Sequence, residues 1–164
     1  MSDGTTSILV TGAGGQLGSR LRACAESRPN VTFIGLGLEA LDVCDRAAVF
    51  EAVATHRPDV VIHAAAYTAV DRAESEEPLA HEVNATAVRH VADACNDAGI
   101  PMVHISTDYV FGDVPRRPLQ PTDPTGPVGA YGRTKLAGEE AFMASGVNGA
   151  LVRNQLGRDA DFIM

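Results

Sequence analysis

Short apolar, β-prone runs alternate with helical stretches along the whole of this chain, and that alternation restricts its fold more than any other feature. SILVT (7 to 11) stops in glycines and is followed by QLGSRLRACAESR (16 to 28), where Leu17, Leu21 and Ala25 fall at helical spacing. VTFIGLG (31 to 37) precedes DRAAVFEAVATHR (45 to 57), whose Asp45 is suited to cap a helix with Ala48, Val49, Ala52 and Val53 on one face. DVVIHAAA (59 to 66) is apolar throughout, as a strand covered on both faces would be. Residues 70 to 99 read as a long helical stretch, interrupted before Pro78 and ended by Gly99. PMVHIST (101 to 107), a Pro- and Gly-rich loop from 112 to 128, a helix opening in GAYGRTKLAG and GALVR (149 to 153) complete the series. Five strands separated by helices predict an α/β fold with a doubly wound parallel sheet of the Rossmann type, because right-handed crossovers place helices on both faces. The 164 residues suffice for one such domain.

Charge and cysteine content narrow the function. Lys and Arg number 13 against 21 Asp and Glu, a formal net charge of −8, and no basic patch interleaves with aromatics, which argues against nucleic acid as a partner. Cys24, Cys44 and Cys95 are odd in number and widely spaced, unlike a disulfide framework or a zinc site, so no metal is expected. No run of 18 uncharged apolar residues occurs and MSDGTTSILVTG lacks a basic leader, so neither membrane insertion nor export is expected, and a reducing cytoplasm fits.

Ligands of doubly wound sheets sit beyond the carboxyl ends of the strands, near the point where strand order reverses. The first strand ends in TGAGGQLG, with Gly12, Gly15 and Gly18 spaced G-x-x-G-x-x-G and Gln16 and Leu17 opening the helix. Glycine suits such a turn, because a pyrophosphate must approach bare backbone at a helix N-terminus. Where NAD is selected, an acidic residue ends the second strand; here that strand ends in Gly35-Leu36-Gly37, so NAD and NADP both stay open.

Tyr131 and Lys135 are four residues apart on the last helix and share a face, about 6 Å from one another. An ammonium beside a phenol favours phenolate, so the lysine is expected to lower the tyrosine pKa. The fourth strand ends in Ser106-Thr107-Asp108-Tyr109, bringing hydroxyls to the same edge. A hydroxyl, a tyrosine and a lysine beside a dinucleotide loop make a carbonyl-reducing site. Asp71 is expected to cap a helix, and Asn84 to brace neighbouring backbone as a buried amide. His63 and His104 are expected to be strand residues with their hydrogen bonds satisfied.

TGxxGxxG, a serine or threonine, and YxxxK together resemble the extended short-chain dehydrogenase/reductase superfamily. GGQLG, LDVCD, RPDVVIHAAAYTAVDRAE, HISTDYVFGD and YGRTKLAGEE resemble, within it, the dTDP-4-dehydrorhamnose reductase family, over about residues 8 to 153. That resemblance implies NADPH or NADH as cofactor and a dTDP-sugar as partner, with hydride delivered to the C4 ketone of dTDP-4-dehydro-L-rhamnose. It assigns proton donation to Tyr131, nicotinamide-ribose binding to Lys135 and hydrogen bonding of the developing alkoxide to Thr107. It places Asp42 and Val43 beside the adenine, lets the cofactor pass over Ala64, Ala65 and Ala66, and puts Thr68, Val70, Asp108 and Tyr109 near the sugar nucleotide. For Asp42 a turn role, and for the alanines a packed strand end, are equally open.

The likeness stops after Arg153. Where the family continues with an Arg-Thr-Ser-Trp-Val-Tyr-like segment and a substrate-covering lobe, this sequence reads NQLGRDADFIM and contains no Trp. Residues 1 to 153 are therefore expected to form the dinucleotide-binding domain, and 154 to 164 the incomplete start of a substrate-binding region. The family's magnesium site and dimer contact depend largely on the later region and are not carried over to residues here, and a homodimer stays open as a partner. A non-catalytic dinucleotide-binding or regulatory protein, similar to the regulatory subunit of methionine adenosyltransferase, is the alternative.

Overall fold

The computed structural model describes residues 4 to 112 and 118 to 154. The expected start of a substrate-binding region thus falls, from residue 155 onward, outside the described residues. β1 (Thr6–Thr11), β2 (Val31–Leu36), β3 (Val60–His63), β4 (Met102–Thr107) and β5 (Gly149–Asn154) form one sheet in the order β2-β1-β3-β4-β5, every neighbouring pair parallel. The helices are α1 (Gln16–Glu26), α2 (Arg46–His56), α3 (Val70–Ala73), α4 (Glu77–His81), α5 (Ala87–Ala98) and α6 (Ala130–Ser145).

From β1 the chain steps outward to β2 and then crosses back to β3 on the other side. Right-handed crossovers consequently place α1 on one face and α2, α5 and α6 on the other. Under that second layer lies the main core, in which Leu9, Val61 and Met102 of the sheet meet Val49, Val53, Val88, Val91 and Phe142 of the helices. The reversal between β1 and β3 opens the carboxyl edge of the sheet at its centre, where a ligand of a doubly wound fold binds.

Local chemistry explains several boundaries. Asp45 caps α2, its Oδ1 accepting from the Ala47 and Ala48 N–H groups at 2.9 and 3.1 Å. Gly99 (φ +68°) and Gly146 (φ +72°) end α5 and α6 in the left-handed conformation that favours glycine. Three expectations need correction. DVVIHAAA is a strand only through His63, so the alanine triplet lies beyond the sheet. Asp71 lies inside the first turn of α3, behind the cap position Ala69. The stretch from 70 to 99 is α3, α4, a π-helical turn (Glu82–Thr86) and α5, and residue periodicity does not register the π turn.

The π turn packs against α6. A Cβ on Gly138 of α6 would lie 2.0 Å from the Asn84 carbonyl oxygen, so α6 presses directly on the turn's backbone. Asn84, buried there, accepts from the Tyr67 N–H (2.9 Å) and donates to the Tyr67 carbonyl (3.1 Å) and to Thr134 Oγ1 (3.1 Å). It braces the chain leaving β3, as a buried amide must.

Candidate active site

A cleft of about 1000 Å³ runs along the carboxyl ends of β1, β3 and β4. It has the upper size typical of small-molecule sites, on the order of 300–1000 Å³. Every residue that the sequence offered for catalysis or for binding cofactor or sugar lines it: Gly12, Gly15, Gln16, Leu17 and Gly18; Asp42 and Val43; Ala64, Ala65 and Ala66; Thr68 and Val70; Thr107, Asp108 and Tyr109; Tyr131 and Lys135.

At one end stands the glycine loop. Gly12 has φ +67°, and a Cβ on it would lie 2.6 Å from the Ala65 backbone nitrogen, so two strand ends touch through a residue without a side chain. Gly18 is equally constrained, since its Cβ would meet Ala13 Cα at 2.5 Å. Gly14, by contrast, faces open space, and Gly15, at the cap position of α1, supplies no side-chain cap. The first N–H groups of α1 are left for an anion in the cleft that Gly15, Gln16 and Leu17 line. These features fit a dinucleotide pyrophosphate.

Asp42 is a turn residue as well as a cleft residue, its Oδ1 accepting from the Cys44 N–H at 2.9 Å. Cys44 also lines the cleft; burial, helped by the Asp42 and Glu82 charges, pushes its thiol up to about 11, which leaves it unreactive. The alanine triplet is fastened to β1, with the Ala64 N–H donating to the Thr11 carbonyl (3.3 Å) and the Ala65 N–H to Thr11 Oγ1 (3.4 Å).

At the other end β4 hands over to a 3₁₀ turn (Asp108–Val110), capped by Thr107 Oγ1, which accepts from the Tyr109 N–H at 3.3 Å. Opposite lies the first turn of α6, where the Tyr109 and Tyr131 rings meet edge to face at 5.5 Å. The Ala130 N–H donates to Glu74 Oε1 at 2.7 Å, so a carboxylate from just beyond α3 caps the helix beside Tyr131. Burial holds the Tyr131 hydroxyl above its ordinary pKa, against a hydrogen bond with Thr107 that lowers it, while Tyr109 and Asp108 add to the rise. That direction reverses the expectation drawn from the lysine. The Lys135 ammonium is buried and donates to the Ile105 carbonyl at 2.7 Å. Burial brings Lys135 down to about 8, against the raising influence of Glu139.

His63 and His104 do not match the expectation of fully satisfied strand residues. His63 Nδ1 shares a hydrogen bond of 2.8 Å with Thr11 Oγ1, but His63 Nε2 and both His104 nitrogens have no partner among the described residues. The two rings stack at 5.7 Å, and His104 stacks on Phe142 at 6.0 Å. Burial, reinforced by the Lys135 charge, drives them to about 3 and about 2, so both are neutral.

With this geometry in view, likeness to known proteins becomes specific. The family described as RmlD substrate binding domain matches residues 6 to 156. The chain belongs to that family. It is 46% identical over 150 residues to a protein of Mycobacterium tuberculosis named dTDP-4-dehydrorhamnose reductase, which covers 89% of this chain and 48% of the relative. The chain thus spans about half the length of the curated relatives it matches. The crystal structure of a dTDP-4-dehydrorhamnose reductase from Clostridium acetobutylicum superposes with a TM-score of 0.84 at 38% identity, covering 90% of this chain and 52% of the other. The Bacillus anthracis enzyme of the same name, solved in complex with NADP, gives 0.82 at 35% identity, covering 91% and 53%.

Several lining residues escaped sequence reasoning, among them Leu38, Leu41, Tyr67, Val83 and Asn154. Leu38, Leu41 and Tyr67 belong to loops, Val83 to the π-helical turn and Asn154 to the end of β5, and they reach the cleft through the fold alone. Leu38, strongly exposed in the loop after β2, had the one visible signal, an apolar residue following glycine with no core to enter. Glu39, its neighbour, is exposed and is not among the lining residues.

Proposed function

We propose that this chain is the dinucleotide-binding part of an NAD(P)H-dependent reductase that converts dTDP-4-dehydro-L-rhamnose to dTDP-L-rhamnose in the cytoplasm. The observation that carries the reading is the meeting of Thr107, Tyr131 and Lys135 in the same cleft as an uncapped glycine loop. The names of the relatives in the same family support the choice of sugar. On this reading residues 1 to 153 form the dinucleotide-binding domain and 154 to 164 begin the substrate-binding region.

Gly12, Gly15, Gln16, Leu17 and Gly18 would hold the pyrophosphate, Asp42 and Val43 the adenine side, and Ala64 to Ala66 the stretch between. When bound, the dihydronicotinamide supplies the hydride that turns the C4 ketone into an alcohol. Tyr131 supplies the balancing proton to the ketone oxygen. Its raised pKa suits that role, because the hydroxyl stays protonated at neutral pH. Thr107 donates a hydrogen bond to the same oxygen as negative charge develops. Lys135 spends one of its three N–H donors on the Ile105 carbonyl and keeps two for ribose hydroxyls. Thr68, Val70, Asp108 and Tyr109 would border the sugar nucleotide.

The test is oxidation of NADPH and of NADH with dTDP-4-dehydrorhamnose, beside a cofactor titration followed by thermal shift. Tyr131→Phe is expected to lower kcat by about 10²–10⁴ while leaving cofactor affinity intact. Turnover that survives Tyr131→Phe unchanged refutes the assigned proton donor. Cofactor binding without turnover in the wild-type chain leaves a dinucleotide-binding part that does not act alone, or the non-catalytic reading.

A further inference from the structure

Lys135 is the only lysine in the sequence. Its charge has a partner set behind the cleft rather than in it. Glu139, one turn further along α6, is buried. Glu139 Oε1 accepts from Ser106 Oγ at 2.6 Å and from Arg153 Nε at 2.8 Å, and Glu139 Oε2 accepts from Arg153 Nη2 at 2.6 Å. Arg153 Nη1 donates to the Pro121 carbonyl at 2.9 Å, and its guanidinium lies 4.9 Å from the centre of the Phe111 ring.

Ser106 lines the cleft itself, and the other side chains of this cluster adjoin cleft residues. Ser106 precedes Thr107, Arg153 precedes Asn154, Phe111 follows the 3₁₀ turn bearing Asp108 and Tyr109, and Glu139 shares a helix face with Lys135. A two-pronged Arg–carboxylate contact is rigid as well as strong. Leaving one partner of such a buried pair alone costs far more than the intact pair contributes.

Resting on the reductase reading for its role in catalysis, we propose that Glu139 is a positioning residue. Clamped by Arg153 and Ser106, it locks α6 to the ends of β4 and β5 and keeps a fixed negative charge one helical turn behind the Lys135 ammonium. The other titratable or charged groups around Lys135 do not substitute for it. His63 on β3 and His104 on β4 are neutral, Tyr131 on α6 and Tyr109 are phenols, Asp108 lies on the 3₁₀ turn beside Tyr131, and the Arg153 cation is spent on Glu139.

The experiment is an NMR titration of the chain carrying labelled lysine, whose side chain gives one signal, without cofactor or sugar. Wild type is expected to titrate near about 8. In Glu139→Gln the midpoint falls, by on the order of one pH unit, since an opposing charge one turn away is lost. Glu139→Asp, which keeps the charge, stays nearer wild type. Should Glu139→Gln fail to fold with Arg153 left unpaired, the double variant Glu139→Gln, Arg153→Met removes both charges and is expected to show a smaller fall in the same direction, because a cation is lost with the carboxylate. An unchanged midpoint in a folded Glu139→Gln or double variant overturns the proposal. Because this readout needs no turnover, it stands or falls apart from the reductase assay. In that assay the alkaline limb of NADPH oxidation is expected to move to lower pH in Glu139→Gln, with kcat affected more than KM.

Discussion

Gly12→Ala and Gly14→Ala make the same chemical change two residues apart, yet the structure gives them opposite consequences. At Gly12 an alanine must hold φ +67°, which costs about 1 kcal/mol for a side-chain-bearing residue. Its Cβ must also sit 2.6 Å from Ala65 N and 2.7 Å from Ala65 Cα, and these are backbone atoms that cannot rotate away. Overpacking of that kind costs about 1–3 kcal/mol. Together the effects come to about 2–4 kcal/mol, or a fall in Tm on the order of 5–15 °C in a chain of this size. At Gly14 nothing lies within 4 Å of the added Cβ, so Gly14→Ala should stay within about 0.5 kcal/mol of wild type. Urea denaturation of the three proteins at one pH reads both numbers. Equal midpoints for the two variants, or a Gly12→Ala protein as stable as wild type, would refute the claim that β1 and the segment after β3 meet through Gly12.

Two further outcomes follow from buried groups. His63 and His104 titrate at about 3 and about 2 when folded and near 6.5 when unfolded, so below pH 6.5 the unfolded chain binds protons the folded chain refuses. Stability is therefore complete above pH 6.5 and lost as pH falls toward 3, with a slope approaching two protons. Urea midpoints between pH 7 and 4 measure this, and His104→Leu should halve the slope; an unaltered slope in that variant would show that His104 is not one of the two groups. Glu74→Ala removes the carboxylate that accepts from the Ala130 N–H, at a cost of about 1 kcal/mol or a few degrees of Tm, and Glu74→Gln, still an acceptor, should recover part of it. A melt of Glu74→Ala that matches wild type would remove the cap from the account of how Tyr131 is held.

What the sequence determined by itself was the periodic content and the local chemistry. The five apolar runs, the Asp45 cap, the Gly99 stop and the spacing of Gly12, Gly15 and Gly18 are short-range signals, set by backbone geometry and by one face of a strand or helix at a time. Tyr131 and Lys135 were legible for the same reason, since four residues on a helix define a shared face before any tertiary contact forms. Tertiary structure decided the quantities that depend on distant neighbours. Asn84 finds Tyr67 and Thr134, Glu74 finds the Ala130 N–H, and Glu139 finds Ser106 and Arg153 only after crossovers bring separate units side by side. The sign of the Tyr131 shift was decided there too. A helix pair predicts a charge beside the phenol, but the Lys135 ammonium goes to the Ile105 carbonyl and burial outweighs the Thr107 hydrogen bond. Desolvation belongs to the whole assembled surroundings of a group, and no spacing along the chain encodes it.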